Sequence, residues 1–270
     1  MGRPKRLLSP CAEAGWFAGV EFNAERIQAV RVDFVGKLIA SEMRSLGEGS
    51  ATKVILVEVK SAITALRKQA KSPPLGIGIG APGVVDPRRR IGLHCAFVSD
   101  WLDVPVAKIF SRAFNVGVAL ENNLRMIAIA ERWFGAGRDL EDYIVLGPRS
   151  GFGIAIVHGG RLYEGSNHAA GEIGQWPWQS VGQRMELHDV LSASAVWRSL
   201  SGSSARSRLP ARLHAALGKY ANTTSPERDS VVRDFAQILG SLHLLLDACF
   251  DQVIEAIHRF TGGPRDTAQE

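Results

Sequence analysis

Leu120-Glu121-Asn122-Asn123-Leu124-Arg125 joins a short apolar strand, Val116-Gly117-Val118-Ala119-Leu120, to a helical stretch over residues 126–134. A carboxylate and two amides therefore stand side by side where a strand runs into a helix. Asn122 can act there as a helix cap, its side-chain oxygen accepting from N–H groups that a first turn leaves without partners. The same position offers an amide for binding, and the local pattern keeps both roles open.

Upstream, alternation of apolar and polar residues predicts strands over residues 17–22 and 27–34, and a third over 38–44. Val54, Ile55, Val59, Ala62, Ile63 and Leu66 recur at helical spacing within residues 52–69, and Pro73-Pro74 ends that helix. Leu75-Gly76-Ile77-Gly78-Ile79-Gly80 reads as a buried strand whose glycines admit a close backbone neighbour, with Ala81-Pro82-Gly83 turning at its end. Downstream, Gly135-Ala136-Gly137 closes the helix, and glycine turns separate strands expected at 143–147, 153–157 and 160–163. From residue 187 the pattern is mostly helical, with one long helix over 230–258. The expected organisation is a basic arm over residues 1–15, an α/β lobe over 16–115, and a second α/β lobe with a helical end over 116–270.

With 270 residues, 46% hydrophobic and 22% charged, the composition is that of an ordinary globular chain. No apolar run approaches the roughly 20 residues a membrane helix needs, and the start lacks the apolar core of a secretory signal, so the expected location is the cytoplasm. Cys11, Cys95 and Cys249 stand far apart without CxxC spacing, which indicates neither a disulfide framework nor a thiolate metal site. The net charge of +5 permits an acidic partner without demonstrating one. Arg88-Arg89-Arg90, after Asp86-Pro87, reads as a solvated turn.

Four stretches in order carry a resemblance: 78–87, reading GIGAPGVVDP; Glu121-Asn122-Asn123; Phe134-Gly135-Ala136-Gly137; and 165–174, reading GSNHAAGEIG. Together, over roughly residues 16–200, they resemble the ROK family, which groups bacterial sugar kinases with transcriptional repressors. Trp101-Leu102-Asp103-Val104-Pro105 also fits that family's pattern. The resemblance implies an actin-like (ribonuclease H-like) ATPase fold of two α/β lobes with a sugar-binding interlobe cleft. The second lobe is expected to be incomplete at its C-terminus, because the family's late Gly-Gly segment is replaced by Arg259-Phe260-Thr261-Gly262-Gly263-Pro264.

The catalytic parts of the kinases are altered one by one. Their first phosphate loop, Asp-x-Gly-Gly-Thr, corresponds here to Glu21-Phe22-Asn23-Ala24-Glu25, which lacks the glycines that let backbone N–H groups reach phosphate and adds a carboxylate. Their second loop survives only in part as Ser150-Gly151-Phe152-Gly153. Asn123 occupies the position of the catalytic aspartate, and a neutral amide cannot serve as a general base near pH 7. No catalytic residue is therefore assigned.

By resemblance, Asn122, Asn123, Glu172, Gln175 and His188 are the candidate sugar contacts. Gln175 replaces a family histidine, and His188 stands nearest a family glutamate, with Glu186 or Asp189 as alternatives if the register slips. The family's CxCGxxGC segment is absent between Gln175 and Ser192, so no structural zinc is expected, and no cofactor. Gly2–Pro10 resembles the linker that follows a winged-helix domain in ROK repressors, with Arg3, Lys5 and Arg6 as a minor-groove arm; too few residues precede it for that domain.

The expected function is the catalytically silent, sugar-sensing effector part of a ROK-type transcriptional regulator, not an enzyme. It would form a homo-oligomer and meet DNA only through a winged-helix domain supplied upstream. A divergent ATP-dependent sugar kinase is the alternative, and a truncated non-functional remnant the third reading.

Overall fold

The computed structural model describes residues 9–47, 49–180, 183–202 and 225–246. The arm residues Arg3, Lys5 and Arg6, and the segment 249–264, lie outside the described residues. The chain divides into two compact units, Met1–Asn123 and Leu124–Glu270.

The first unit is built on a five-stranded sheet. Its strands are β1 (Trp16–Phe22), β2 (Arg26–Asp33), β3 (Leu38–Ser45), β4 (Gly76–Ala81) and, after several intervening elements, β8 (Gly117–Asn122), in the order β3-β2-β1-β4-β8. β1 runs antiparallel to β2 and parallel to β4, and β4 runs parallel to β8. The parallel pairs need crossovers. Helix α1 (Thr52–Lys68) supplies one and buries Ile55, Val59, Ala62, Ile63 and Leu66 completely. Each large aliphatic side chain so buried contributes roughly 1.5–3 kcal/mol.

The second crossover contains a small antiparallel ribbon, β5 (Val84–Asp86), β6 (Ile91–His94) and β7 (Leu102–Val104), followed by helix α2 (Val106–Phe114). This α2 was not anticipated, although Val106, Ala107, Phe110 and Phe114 line its buried side. Trp101 is 1% exposed, packs on Phe22 at 5.5 Å between ring centroids, and occupies the space a side chain at Gly92 would need.

Strand β8 departs from the organisation expected from sequence. The sequence puts its residues at the head of the second lobe, but each pairs in register with β4, from Gly76 opposite Gly117 to Ala81 opposite Asn122. The hydrogen-bond ladder makes the strand an edge of the first sheet, so the first unit runs through Asn123.

Helix α3 (Asn123–Phe134) begins immediately after β8; its first residue ends the first unit and the rest belongs to the second. A three-stranded sheet follows, of β9 (Tyr143–Pro148), β10 (Phe152–His158) and β11 (Arg161–Leu162) in the order β11-β10-β9. Next comes a two-stranded ribbon of β12 (Pro177–Ser180) and β13 (Gln183–Glu186). Helices α4 (Leu187–Leu191), α5 (Ala193–Ser201) and α6 (Pro226–Leu246) complete what is described. Ile144, Phe152, Ile154, Ile173, Leu187, Leu191 and Ile238 form one core, and Leu124, Ala128, Tyr143, Ala155 and Val157 a second. Among the described residues no helix is long and apolar enough to cross a membrane.

Candidate functional site

At the strand-to-helix junction of the first unit, both asparagines are buried and both use their side-chain N–H groups as donors. Asn122 Nδ2 donates to the Gly83 carbonyl at 2.8 Å, and its backbone N–H donates to Glu121 Oε1 at 2.7 Å. Asn123 Nδ2 donates to Glu21 Oε1 and to the Phe22 carbonyl, each at 3.2 Å. Both partners can only accept, so the orientation of this amide follows from chemistry. An aspartate in this place would present an acceptor to two acceptors.

Gly83 is required by its backbone, with φ at +72° and the His94 carbonyl where a Cβ would stand. Asp86, 7% exposed, turns the following residues by accepting from the backbone N–H groups of Arg88 and Arg89. The arginine cluster Arg88-Arg89-Arg90 is exposed.

The hairpin between β1 and β2 spans Asn23, Ala24 and Glu25. It is closed by its own side chain: buried Asn23 accepts through Oδ1 from the N–H groups of Glu25 at 2.9 Å and Arg26 at 2.8 Å, while its own N–H bonds the Arg26 carbonyl. The N–H groups of Glu25 and Arg26 are thus spent on an Asx turn. At the start of β10 the Phe152 N–H donates to His188 Nδ1 at 2.8 Å.

In the second unit, Glu172 and Gln175 are exposed on the segment before β12, and His188 is half-buried on α4. His188 is fastened at both ends. Its backbone N–H donates to the Gly174 carbonyl at 2.8 Å, and its ring fills the space beside the Gly174 Cα. Because Nδ1 accepts from Phe152, the neutral ring carries its proton on Nε2.

Burial holds the His188 imidazole below its ordinary pKa of 6.5, against the opposing pull of Glu186 and Asp189. The folded chain thus favours the neutral ring. Its contribution to stability is fully present above pH 6.5 and is lost as pH falls through the lowered folded value. Urea midpoints measured between pH 7.5 and 5 should decline through this window. The decline should flatten in His188→Asn, whose Oδ1 can still accept from Phe152.

The ribbon of β12 and β13 contains no cysteine. Among the described residues no cluster of His, Cys, Asp or Glu could hold a metal.

Sequence reasoning missed Arg125. It is 2% exposed and donates through Nη2 to the carbonyls of His168, Ala170 (3.4 Å) and Glu164 (3.5 Å). An arginine among the apolar residues Leu124, Met126 and Ile127, two places beyond the paired asparagines, was the available signal, since a cation drawn into an apolar stretch must find several acceptors.

The ROK family model matches residues 17–192. The chain is 30% identical over 176 residues to the xylose repressor of Caldicellulosiruptor bescii, covering 64% of this chain and 44% of that protein. It is 26% identical over 188 residues to the glucokinase of Thermotoga maritima, covering 67% and 59% respectively. Among solved structures, a ROK glucokinase from Streptomyces griseus in complex with glucose and AMPPNP aligns with a TM-score of 0.70 at 20% identity, covering 94% of this chain and 92% of that one. The fold is that of the actin-like sugar kinases. The chain spans less than two thirds of the length of these two curated relatives.

Proposed function

From the premise that this chain belongs to the ROK family, we propose that it is the catalytically silent, sugar-sensing effector part of a transcriptional regulator. The observation that carries this reading is the direction of the Asn123 amide. Its N–H group points at Glu21 Oε1 and the Phe22 carbonyl, so the position that would accept a proton from a sugar hydroxyl is instead a donor bonded to the end of β1 within the first unit. The Asx turn at Asn23 and the His188 bond to the Phe152 N–H support it, because both occupy amides at phosphate-loop positions.

Asn122, Asn123, Glu172, Gln175 and His188 are the proposed sugar contacts, and each is tested by alanine substitution within its own unit. DNA contact in this reading belongs to an upstream winged-helix domain, with Arg3, Lys5 and Arg6 along the minor groove. Self-association is part of the same reading, in keeping with the exposed Trp133 and Phe134 on α3, 67% and 74% accessible.

A coupled assay with ATP and magnesium over xylose, glucose and N-acetylglucosamine is expected to show no phosphorylation. Turnover that disappears in Glu172→Ala would establish the kinase alternative instead. In thermal-shift measurements with the same sugars, one of them should raise the unfolding midpoint; a ligand at 100 times its dissociation constant stabilises by about 2.7 kcal/mol. Absence of both turnover and shift would favour the non-functional remnant.

A further inference from the structure

We infer that Arg125 is a positioning residue that latches the loop over residues 164–171 and thereby sets how Glu172 is presented; its ligand-binding consequence rests on the sugar-sensing reading above. The guanidinium is planar and carries five N–H donors in a fixed fork, which suits it to carbonyls converging from one loop. In Arg125 one arm of the fork, Nη2, reaches the loop: its two N–H groups serve the His168 carbonyl most closely and the Ala170 and Glu164 carbonyls at longer range.

The loop passes three times through the left-handed region, and one of those residues is not glycine. Gly165, His168 and Gly171 all have positive φ, at +70°, +57° and +92°. For His168, which is not glycine, the left-handed conformation is unfavourable unless its surroundings impose it. Two constraints do so. Arg125 takes the His168 carbonyl, and the ring Nδ1 lies 3.1 Å from Glu164 Oε2, four residues back.

The far end of the loop is tied to the sheet, where the Ile154 N–H of β10 donates to the Gly171 carbonyl at 2.9 Å. Glu172 follows at once, its N–H bonded to the Ala169 carbonyl at 3.1 Å. A change in the path of 168–170 therefore passes directly into the Glu172 backbone. Lysine at 125 would keep the charge on a shorter side chain, drawing the cation back from the three carbonyls that Nη2 reaches.

The test uses the full chain and Arg125→Lys, with Arg125→Met as a second variant. Amide hydrogen exchange followed by mass spectrometry should show residues 164–172 exchanging at least tenfold faster in Arg125→Lys, while peptides from β1, β4 and α1 keep their wild-type protection. For the sugar that shifts the wild type most, the dissociation constant should rise at least tenfold. Unchanged loop exchange in a folded variant overturns the latch. Faster loop exchange with unchanged sugar affinity overturns its role in presenting Glu172. A wild type that binds no sugar refutes the sugar-sensing reading, and the latch then stands or falls on the exchange result alone.

Discussion

Asn123→Asp is expected to destabilise the chain by about 3 kcal/mol and to yield no phosphoryl transfer. The amide donates to a carboxylate oxygen and to a carbonyl oxygen, both 3.2 Å away, in a position only 7% exposed. Aspartate removes both donors and sets a second carboxylate against Glu21. Each lost bond at a buried group costs about 1–3 kcal/mol, and an unpaired buried charge adds to that or is relieved by taking up a proton. If it takes up a proton, the position holds no carboxylate at neutral pH, and if it stays ionised, the carboxylate is set against Glu21 at the cost of stability, so an aspartate here does not by itself restore a working base. Urea unfolding measures the loss. Asn123→Asp combined with Glu21→Gln should recover a large part of it, because the glutamine can donate where the carboxylate could only repel. A stable single variant with measurable sugar phosphorylation would show that the junction is a dormant catalytic site.

Gly171→Ala should cost still more, on the order of 4 kcal/mol, with loss of any sugar-dependent thermal shift. Two penalties coincide there. A φ of +92° is unfavourable for any residue with a Cβ, and that Cβ would meet the Ile154 carbonyl oxygen. Relief requires moving the loop away from β10, which breaks the bond from the Ile154 N–H to the Gly171 carbonyl. Gly202→Ala is the control: φ is +63° and nothing stands within 4 Å of the added methyl, so only the backbone penalty of about 1 kcal/mol applies. Similar losses from the two substitutions would mean that the packing of residue 171 on β10 contributes little.

Much of the architecture was legible before any coordinates. The alternation in β1, β2 and β3 and the spacing of Ile55, Val59, Ala62, Ile63 and Leu66 are periodic signals, written locally and read locally. The boundary between the units was not legible. Val118 and Leu120 look equally apolar whether a strand opens a new sheet or closes an old one, and only the ladder to β4 distinguishes the cases. α2 escaped for a related reason: at nine residues it is short, and the β7 strand before it hides where it begins.

The candidate site divides along the same line. The sequence by itself determined the chemical inventory: two amides where the kinases pair an amide with an aspartate, no glycines between Glu21 and Glu25, and Glu172 retained in its motif. Tertiary structure alone decided what these groups do. Asn123 bonds a carboxylate 102 positions away, Arg125 closes a loop some 40 residues on, and His188 accepts from an amide 36 residues earlier. Which acceptor a buried donor finds is settled by packing, because desolvation forces it to bond whatever the fold brings within about 3 Å, and sequence separation has no bearing on that choice.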